Sequence, residues 1–287
     1  MFWDEAMTTS DGVSMRPYSS DLNSDLGLID YVMCDKTGTL TANKMLFRAC
    51  SVAGRVYSEP LSGEVGRERE GSEKVELFLR VLAVCNEVVP EMADGQGKTR
   101  GPSGDKVAYA SQSPDEVALV TGASENGTIL TERNEDGVRV LEGGVERGYA
   151  VVGTLNFSSE RRRMSVLVRD DEGKYTLLSK GADQVMIPRL APGEWEGDGG
   201  DRDNLAEFAS KGHRVMVCSA RRVDQEEATA YLAQRDAADR SINGRDEMIE
   251  AAFDKLERGM LCVGVTCVED KLREQVPETI RYLLDAG

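Results

Sequence analysis

Apolar positions along the 287-residue chain change texture twice. Near the start, "LGLIDYVMC" is a short apolar run with β-branched and aromatic residues, and "KTGTLTANKM" after it turns to Thr, Gly and Asn. This predicts a buried strand whose carboxyl end, at Asp35, opens into a loop, where open α/β sheets place ligands. At the other end, Leu261 to Val268 reads as a second buried strand of the same sheet. A helix follows it, with Pro277 at its first residue and Ile280, Leu283 and Leu284 as its stripe. The chain between has a different pattern. Val75, Phe78, Leu82 and Cys85 stand at helical spacing, and Ser113 and Pro114 read as the N-cap and first residue of a helix stopping near Gly127. "RMSVLVRDDEGKYTLLSKG" is two β-rich runs joined by turn residues Asp170 to Gly173, a hairpin. "NLAEFASKGHRVMVCSARRV" reads as a helix, a terminating glycine and a strand from Val215 to Ala220. Two segments without periodicity, "EMADGQGKTRGPSGDK" and "PGEWEGDGGDRDN", read as surface loops. The middle is therefore α+β with an antiparallel sheet, inserted into an interrupted α/β domain.

Composition narrows the partners. With 40% hydrophobic residues the chain can bury a sizeable core, and its length suggests about two domains. A net charge of -16 disfavours nucleic acid and anionic lipid, and the one basic cluster, Arg161 to Arg163, is too short to follow a phosphate backbone. Six scattered cysteines without a CxxC pair fit reduced, buried thiols and a cytosolic setting. No apolar run reaches the roughly 18 residues of a membrane span.

Several motifs fail. "GQGKT" ends like a phosphate-binding loop, but Met92 stands where the first glycine is needed and no strand precedes it. The acidic run from Asp198 to Asp203 lacks the alternating ligands and terminal Glu of a calcium loop, and reads as a solvated loop capping the next helix. His213 is the sole histidine, which excludes histidine-paired nucleophiles elsewhere and most zinc sites.

"DKTGT" keeps its promise. Asp35 supplies an oxygen nucleophile and a hard magnesium ligand, Lys36 a cation, Gly38 a closely approachable backbone, and Thr37 and Thr39 hydroxyls, each with a role in phosphoryl transfer. The longer "DKTGTLT" resembles the phosphorylation signature of P-type ATPases. "ANKMLFRAC", "SPDEVALV", "FSSERRRMSVLVR", "SKGAD", "GHRVMV" and "EDKLREQVPETIRYLLDAG" are similar, in order, to blocks of the P4 subfamily, the phospholipid flippases. "FWDEA" resembles the start of the cytosolic loop after that family's fourth membrane helix.

The resemblance implies a partial haloacid-dehalogenase-like Rossmannoid phosphorylation domain at 1–48 and 261–287. An α+β nucleotide-binding domain with an antiparallel sheet, at 49–260, interrupts it. It implies ATP as substrate and Mg2+ as cofactor. Asp35 becomes the phosphorylated nucleophile and, with the Thr37 backbone carbonyl, a magnesium ligand, with Lys36 beside the transferred phosphate. Phe157 stacks on adenine, against the alternative of a core aromatic at a strand end, and Lys180 lines the adenine pocket. Glu116 lies by the nucleotide, although Ser113 to Glu116 also compose a capping box that explains it without a ligand. Arg214 reaches the phosphates, against the alternative of a solvated arginine. Thr37 stands where related phosphatases carry a second Asp that hastens hydrolysis, so a longer-lived phosphoenzyme, suited to a pump, is implied. The parent would be a multi-pass membrane protein moving phospholipid with an accessory membrane subunit, and this chain a piece of its cytosolic loop ending at Gly287. An ATP-binding module without turnover and a dehalogenase-type phosphatase are the alternatives.

Overall fold

A computed structural model describes residues 8–13, 28–58, 65, 72–91, 107–135, 137–195, 200–241 and 244–286. "FWDEA", most of the first loop and part of the second lie outside the described residues. The chain divides into two compact units, one formed by Met1–Ala42 with Leu272–Gly287 and the other by Asn43–Lys271.

The second unit is built on a nine-stranded sheet in the order β2-β1-β11-β10-β9-β8-β7-β6-β5. Its strands are β1 (Thr41–Val52), β2 (Arg55–Ser58), β5 (Thr128–Arg133), β6 (Gly137–Glu142), β7 (Val145–Leu155), β8 (Arg163–Asp170), β9 (Tyr175–Gly181), β10 (Arg214–Val223) and β11 (Leu261–Leu272). A small pair, β3 (Val89–Glu91) and β4 (Ala108–Ala110), stands apart from it. Antiparallel pairing runs without interruption from β5 to β11. The large antiparallel sheet expected from the sequence is thus present. Leu261–Val268, however, is one of its strands, antiparallel to β10, and does not pair with the run before Asp35, which forms no strand.

Period-two alternation assigns the two faces. Val166 and Val168 of β8 and Leu178 of β9 join one core with α1 (Glu73–Val84) and α2 (Pro114–Glu125), through Phe78, Leu82, Leu119 and Val120. Leu167 and Leu177 point the other way and pack with Tyr231 of α4 (Gln225–Asp239) and Phe253 of α5 (Arg245–Leu256). A third cluster joins α3 (Gly200–Ser210), through Leu205 and Phe208, to Val217 and Val265.

Local chemistry explains the elements read correctly. Ser113 caps α2 by accepting the Glu116 N–H, Pro114 occupies the first turn, and Asn126 and Gly127 end the helix, Gly127 at φ +81°. In the β8–β9 turn Asp170 Oδ1 accepts the N–H groups of Glu172 and Lys174, and Gly173 takes φ +82°. The acidic run before α3 departs from expectation. Asp201 is buried, and its Oδ1 accepts from the Ser51 hydroxyl and from the Gly54 N–H at 2.9 Å, so it ties α3 to the β1–β2 turn.

The first unit departs further. Residues 28–35 form no strand, and Tyr31, Val32 and Met33 are 83%, 62% and 94% exposed. A strand needs hydrogen-bond partners along an edge, and among the described residues none lies beside this run. The C-terminal helix does form, as α6 (Val276–Asp285), with Pro277 in its first turn, yet its stripe is also exposed, Ile280 at 46% and Leu284 at 76%.

Candidate functional site

In the first unit, the Asp35 loop is a single tight turn. Asp35 Oδ1 accepts the Lys36 N–H at 2.7 Å, the Thr41 N–H returns to the Lys36 carbonyl, and Gly38 takes φ +79°, the left-handed region that favours glycine. Asp35, Lys36 and Thr37 are all exposed. The second Asp35 oxygen and the Thr37 carbonyl are hard donors of the kind Mg2+ takes. Among the described residues no group of three or more metal-ligating side chains exists.

In the second unit, the candidate residues gather where β8 begins and β9 ends. Lys180 shares its sheet face with Leu178, is 2% exposed, and donates from Nζ to Glu116 Oε2 of α2 at 2.5 Å. That contact bears on the alternative in which a capping box explains Glu116. Ser113 still accepts the Glu116 N–H, but the Ser113 N–H goes to Ser111 Oγ, and the Glu116 carboxylate turns to the lysine. A buried ammonium needs such a partner. The thiols of Cys85 and Cys218 belong to the core on this face, and burial pushes Cys85 up to about 12.

Phe157 is 62% exposed, which removes the alternative of a core aromatic. Its loop is anchored on both sides. Asn156 Nδ2 donates to Glu87 Oε1 at 2.5 Å, just after α1, and the Arg162 carbonyl accepts from the Ala182 N–H at 3.0 Å, two residues beyond Lys180. Gly181 permits this closeness. A Cβ there would lie 2.6 Å from the Arg162 carbonyl oxygen and 2.5 Å from Arg163 Cβ. The glycine of "SKGAD" is therefore a packing requirement of the site.

Arg161 and Arg163 turn inward. Both are buried and share Glu257, itself 0% exposed, with Arg161 Nη2 at 2.6 Å from Oε1 and Arg163 Nε at 2.7 Å from Oε2. Ser165 donates to the same Oε1 at 2.6 Å. Burial alone would raise the Glu257 carboxyl, but hydrogen bonds from Arg163 and Ser165 and the charges of both arginines hold it below the usual range. Only Arg162 faces outward, at φ +50°.

Arg214, at the start of β10, is half-exposed but not free. Its Nη1 donates to Asp115 Oδ2 at 2.7 Å, and Nη2 lies 3.7 Å from Asp270 Oδ2. Asp115 stands beside Glu116, so the Arg214 and Lys180 ion pairs meet at consecutive residues of α2. Burial pushes the Asp115 carboxyl up, against the opposing pull of Arg214.

Two tertiary anchors escaped sequence reasoning. Arg133 of β5 donates to the carbonyls of Val84 and Val88 and to Asn86 Oδ1, and has no carboxylate in ion-pair range among the described residues; no signal in "TILTER" marked it. Glu257 lies in an ordinary helix end, and only its pairing with two distant arginines distinguishes it. A charged cavity of about 860 Å³ opens at the opposite end of β8 and β9, where Arg80, Arg147 and Lys174 line it, and shares none of the predicted site residues.

No helix among the described residues is long and apolar enough to cross a membrane. Residues 74–192, which include Glu116, Phe157 and Lys180, match the family model "P-type ATPase, cytoplasmic domain N". The chain is 35% identical to phospholipid-transporting ATPase 10 of Arabidopsis thaliana, over 94% of its own length and 26% of that relative. It is 34% identical to phospholipid-transporting ATPase IH of Homo sapiens, over 99% of the chain and 26% of the relative. The mouse phospholipid-transporting ATPase 11C is 36% identical over 94% of the chain and 24% of the relative. The chain thus spans about a quarter of the length of the curated relatives it matches. Residues 74–192 are thus similar to the cytoplasmic N domain of the P-type ATPases, and nearly the whole chain is similar to part of the phospholipid-transporting ATPases.

Proposed function

We propose that the second unit binds ATP where β8 begins and β9 ends, and that in the whole protein this drives phosphorylation of Asp35 and movement of phospholipid across a membrane. The observation that carries the nucleotide reading is the pairing of a buried Lys180 with Glu116 beside a loop that holds Phe157 exposed. An exposed aromatic offers a stacking face for a base, and the charged pair supplies donors and acceptors for its edge. Arg214 follows the same logic, because a phosphate would compete with Asp115 for its guanidinium. When bound, Mg2+ would offset phosphate charge, with Asp35 and the Thr37 carbonyl among its ligands. The phospholipid, an accessory membrane subunit and the membrane location belong to this reading of the whole protein.

For this chain alone the reading is narrower: nucleotide binding without turnover. Asp35 stands exposed in a turn, its Oδ1 taken by the Lys36 N–H. Thr37 cannot replace the acid/base carboxylate of a phosphatase, which disfavours that alternative. Calorimetry with Mg-ATP is the test. We expect weak binding that Phe157→Ala or Lys180→Ala abolishes, and unchanged binding in both variants would remove the adenine-pocket assignment. With ATP carrying labelled γ-phosphate we expect no acid-stable label on this chain. Label that Asp35→Asn abolishes would show instead that the chain phosphorylates by itself.

A further inference from the structure

We infer that Glu257 is a positioning residue for the nucleotide site: buried on the far face of the sheet, it clamps Arg161, and Arg161 sets the loop that presents Phe157. This rests on the reading of Phe157 as the adenine platform. Phe157 is 62% exposed, so side-chain packing does not determine where its ring stands, and the loop backbone must do so. Arg161 holds that backbone. Its Nη1 donates toward the Leu155 and Asn156 carbonyls, at 3.3 and 3.4 Å, just before the ring, and its own N–H donates to Ser158 Oγ at 3.2 Å, just after it. The Arg162 N–H closes the turn on the Ser158 carbonyl at 2.8 Å.

A guanidinium can serve as such a bracket only if its other edge is fixed, and Glu257 fixes it. Glu257 has no exposed surface, and its partner Ser165 bonds Ser179 on the sheet face away from Lys180, so it acts through Arg161 and not on the ligand. Arg163 and Arg189 complete the bracket by holding the second carboxylate oxygen, Arg189 at 3.7 Å. A glutamine at position 257 has one acceptor oxygen where two are in use, so one arginine must lose its anchor.

The test uses the whole chain with Mg-ATP in calorimetry and hydrogen exchange of the 157–160 amides. Because an unfixed loop must be ordered on binding, Glu257→Gln and Arg161→Lys should each weaken ATP by about tenfold. Their 157–160 amides should exchange faster while those of Val166 to Val168 in β8 stay protected. In a Phe157→Leu background, Glu257→Gln should cost less than twofold, because the ring it positions is gone (roughly, by the logic of a double-mutant cycle). If Glu257→Gln does not fold, Arg161→Lys, which keeps the positive charge beside Glu257, decides alone. ATP affinity near wild type in these variants, while Phe157→Ala loses binding, would overturn the clamp and leave the adenine reading standing. Equal loosening of β8 would show a structural residue only. Wild-type affinity in Phe157→Ala would remove the reading beneath the proposal.

Discussion

The Asp35 loop and the Lys180 end of the sheet carry motifs of similar length, and they meet opposite fates. "DKTGTLT" lies in a turn whose Asp, Lys and first Thr are all exposed, after an apolar run that stays in solvent. "SKG" of "SKGAD" ends β9, hydrogen-bonded to strands on both sides, with its lysine buried against Glu116 and its glycine packed against the Arg162 carbonyl. The difference lies in the neighbours. The Asp35 turn has its own backbone and side-chain bonds, whereas the sheet end has a second layer of support, from Ser113 and Asp115 to Arg161 and Glu257. Motif letters mark descent, and packing decides whether a site is assembled.

That contrast can be broken or sharpened by measurement. The largest effect should come from Glu257→Ala, which takes the buried carboxylate from Arg161 and Arg163 and leaves them, among the described residues, only Glu250 at 3.3 Å and Asp254 at 3.7 Å. Urea unfolding should show a loss of about 3–5 kcal/mol, the cost of breaking a buried ion pair from one side. A loss below about 1 kcal/mol would mean the network is no better than a surface pair.

Acid should act on the same network. The folded-state Glu257 carboxyl is held below its ordinary range, so its contribution is fully present above that range and fades as pH falls through the lowered value. Asp254, lowered by Arg258 and then Arg189, adds in the same direction, and Asp115, raised by burial, opposes both. Stability of the wild type should therefore fall with acidification below the carboxylate range, and more steeply than that of Glu257→Gln. Parallel curves would show that the Arg–Glu network does not set the acid limb.

A smaller effect tests the cap. Ser113→Ala should cost about 1 kcal/mol in urea, because the Glu116 N–H loses its acceptor, and should weaken ATP binding only as far as α2 shifts Glu116.

The first unit should barely respond. Leu284→Ser, on the exposed stripe of α6, should change stability by less than about 0.5 kcal/mol. Thiol titration makes the same comparison without mutation. Cys34, beside Asp35, is exposed, while Cys50, Cys85, Cys218, Cys262 and Cys267 are buried, with Cys267 pushed up by burial to about 11. One thiol should react rapidly with a disulfide reagent in the native chain and all six in denaturant. More than one fast thiol would show that the sheet opens readily.

Much of the second unit was legible in advance. The α2 cap, the β8–β9 turn and the strand after Gly212 depend on residues close in sequence, whose hydrogen bonds are made locally. The placement of Leu261–Val268 was not legible, because a buried antiparallel strand and a buried parallel one show the same apolar run. Nor was the turning of Arg161 and Arg163 inward, since their partner lies 96 and 94 residues away along the chain. Asp201 looked like one more loop acid until Ser51 and Gly54 were found against it.

By itself, then, the sequence determined the elements whose causes are local, the resemblance carried by its motifs, and the residue types that stand at Asp35, Phe157 and Lys180. Only the tertiary structure decided that Glu116 answers Lys180 rather than its own helix cap. It alone gave Arg161 a buried anchor, and it left the Asp35 loop without a packed surround among the described residues. The reason is physical: side-chain identity sets what a group can do, but burial and partners, which come from residues far apart in the chain, set whether it is held in place to do it.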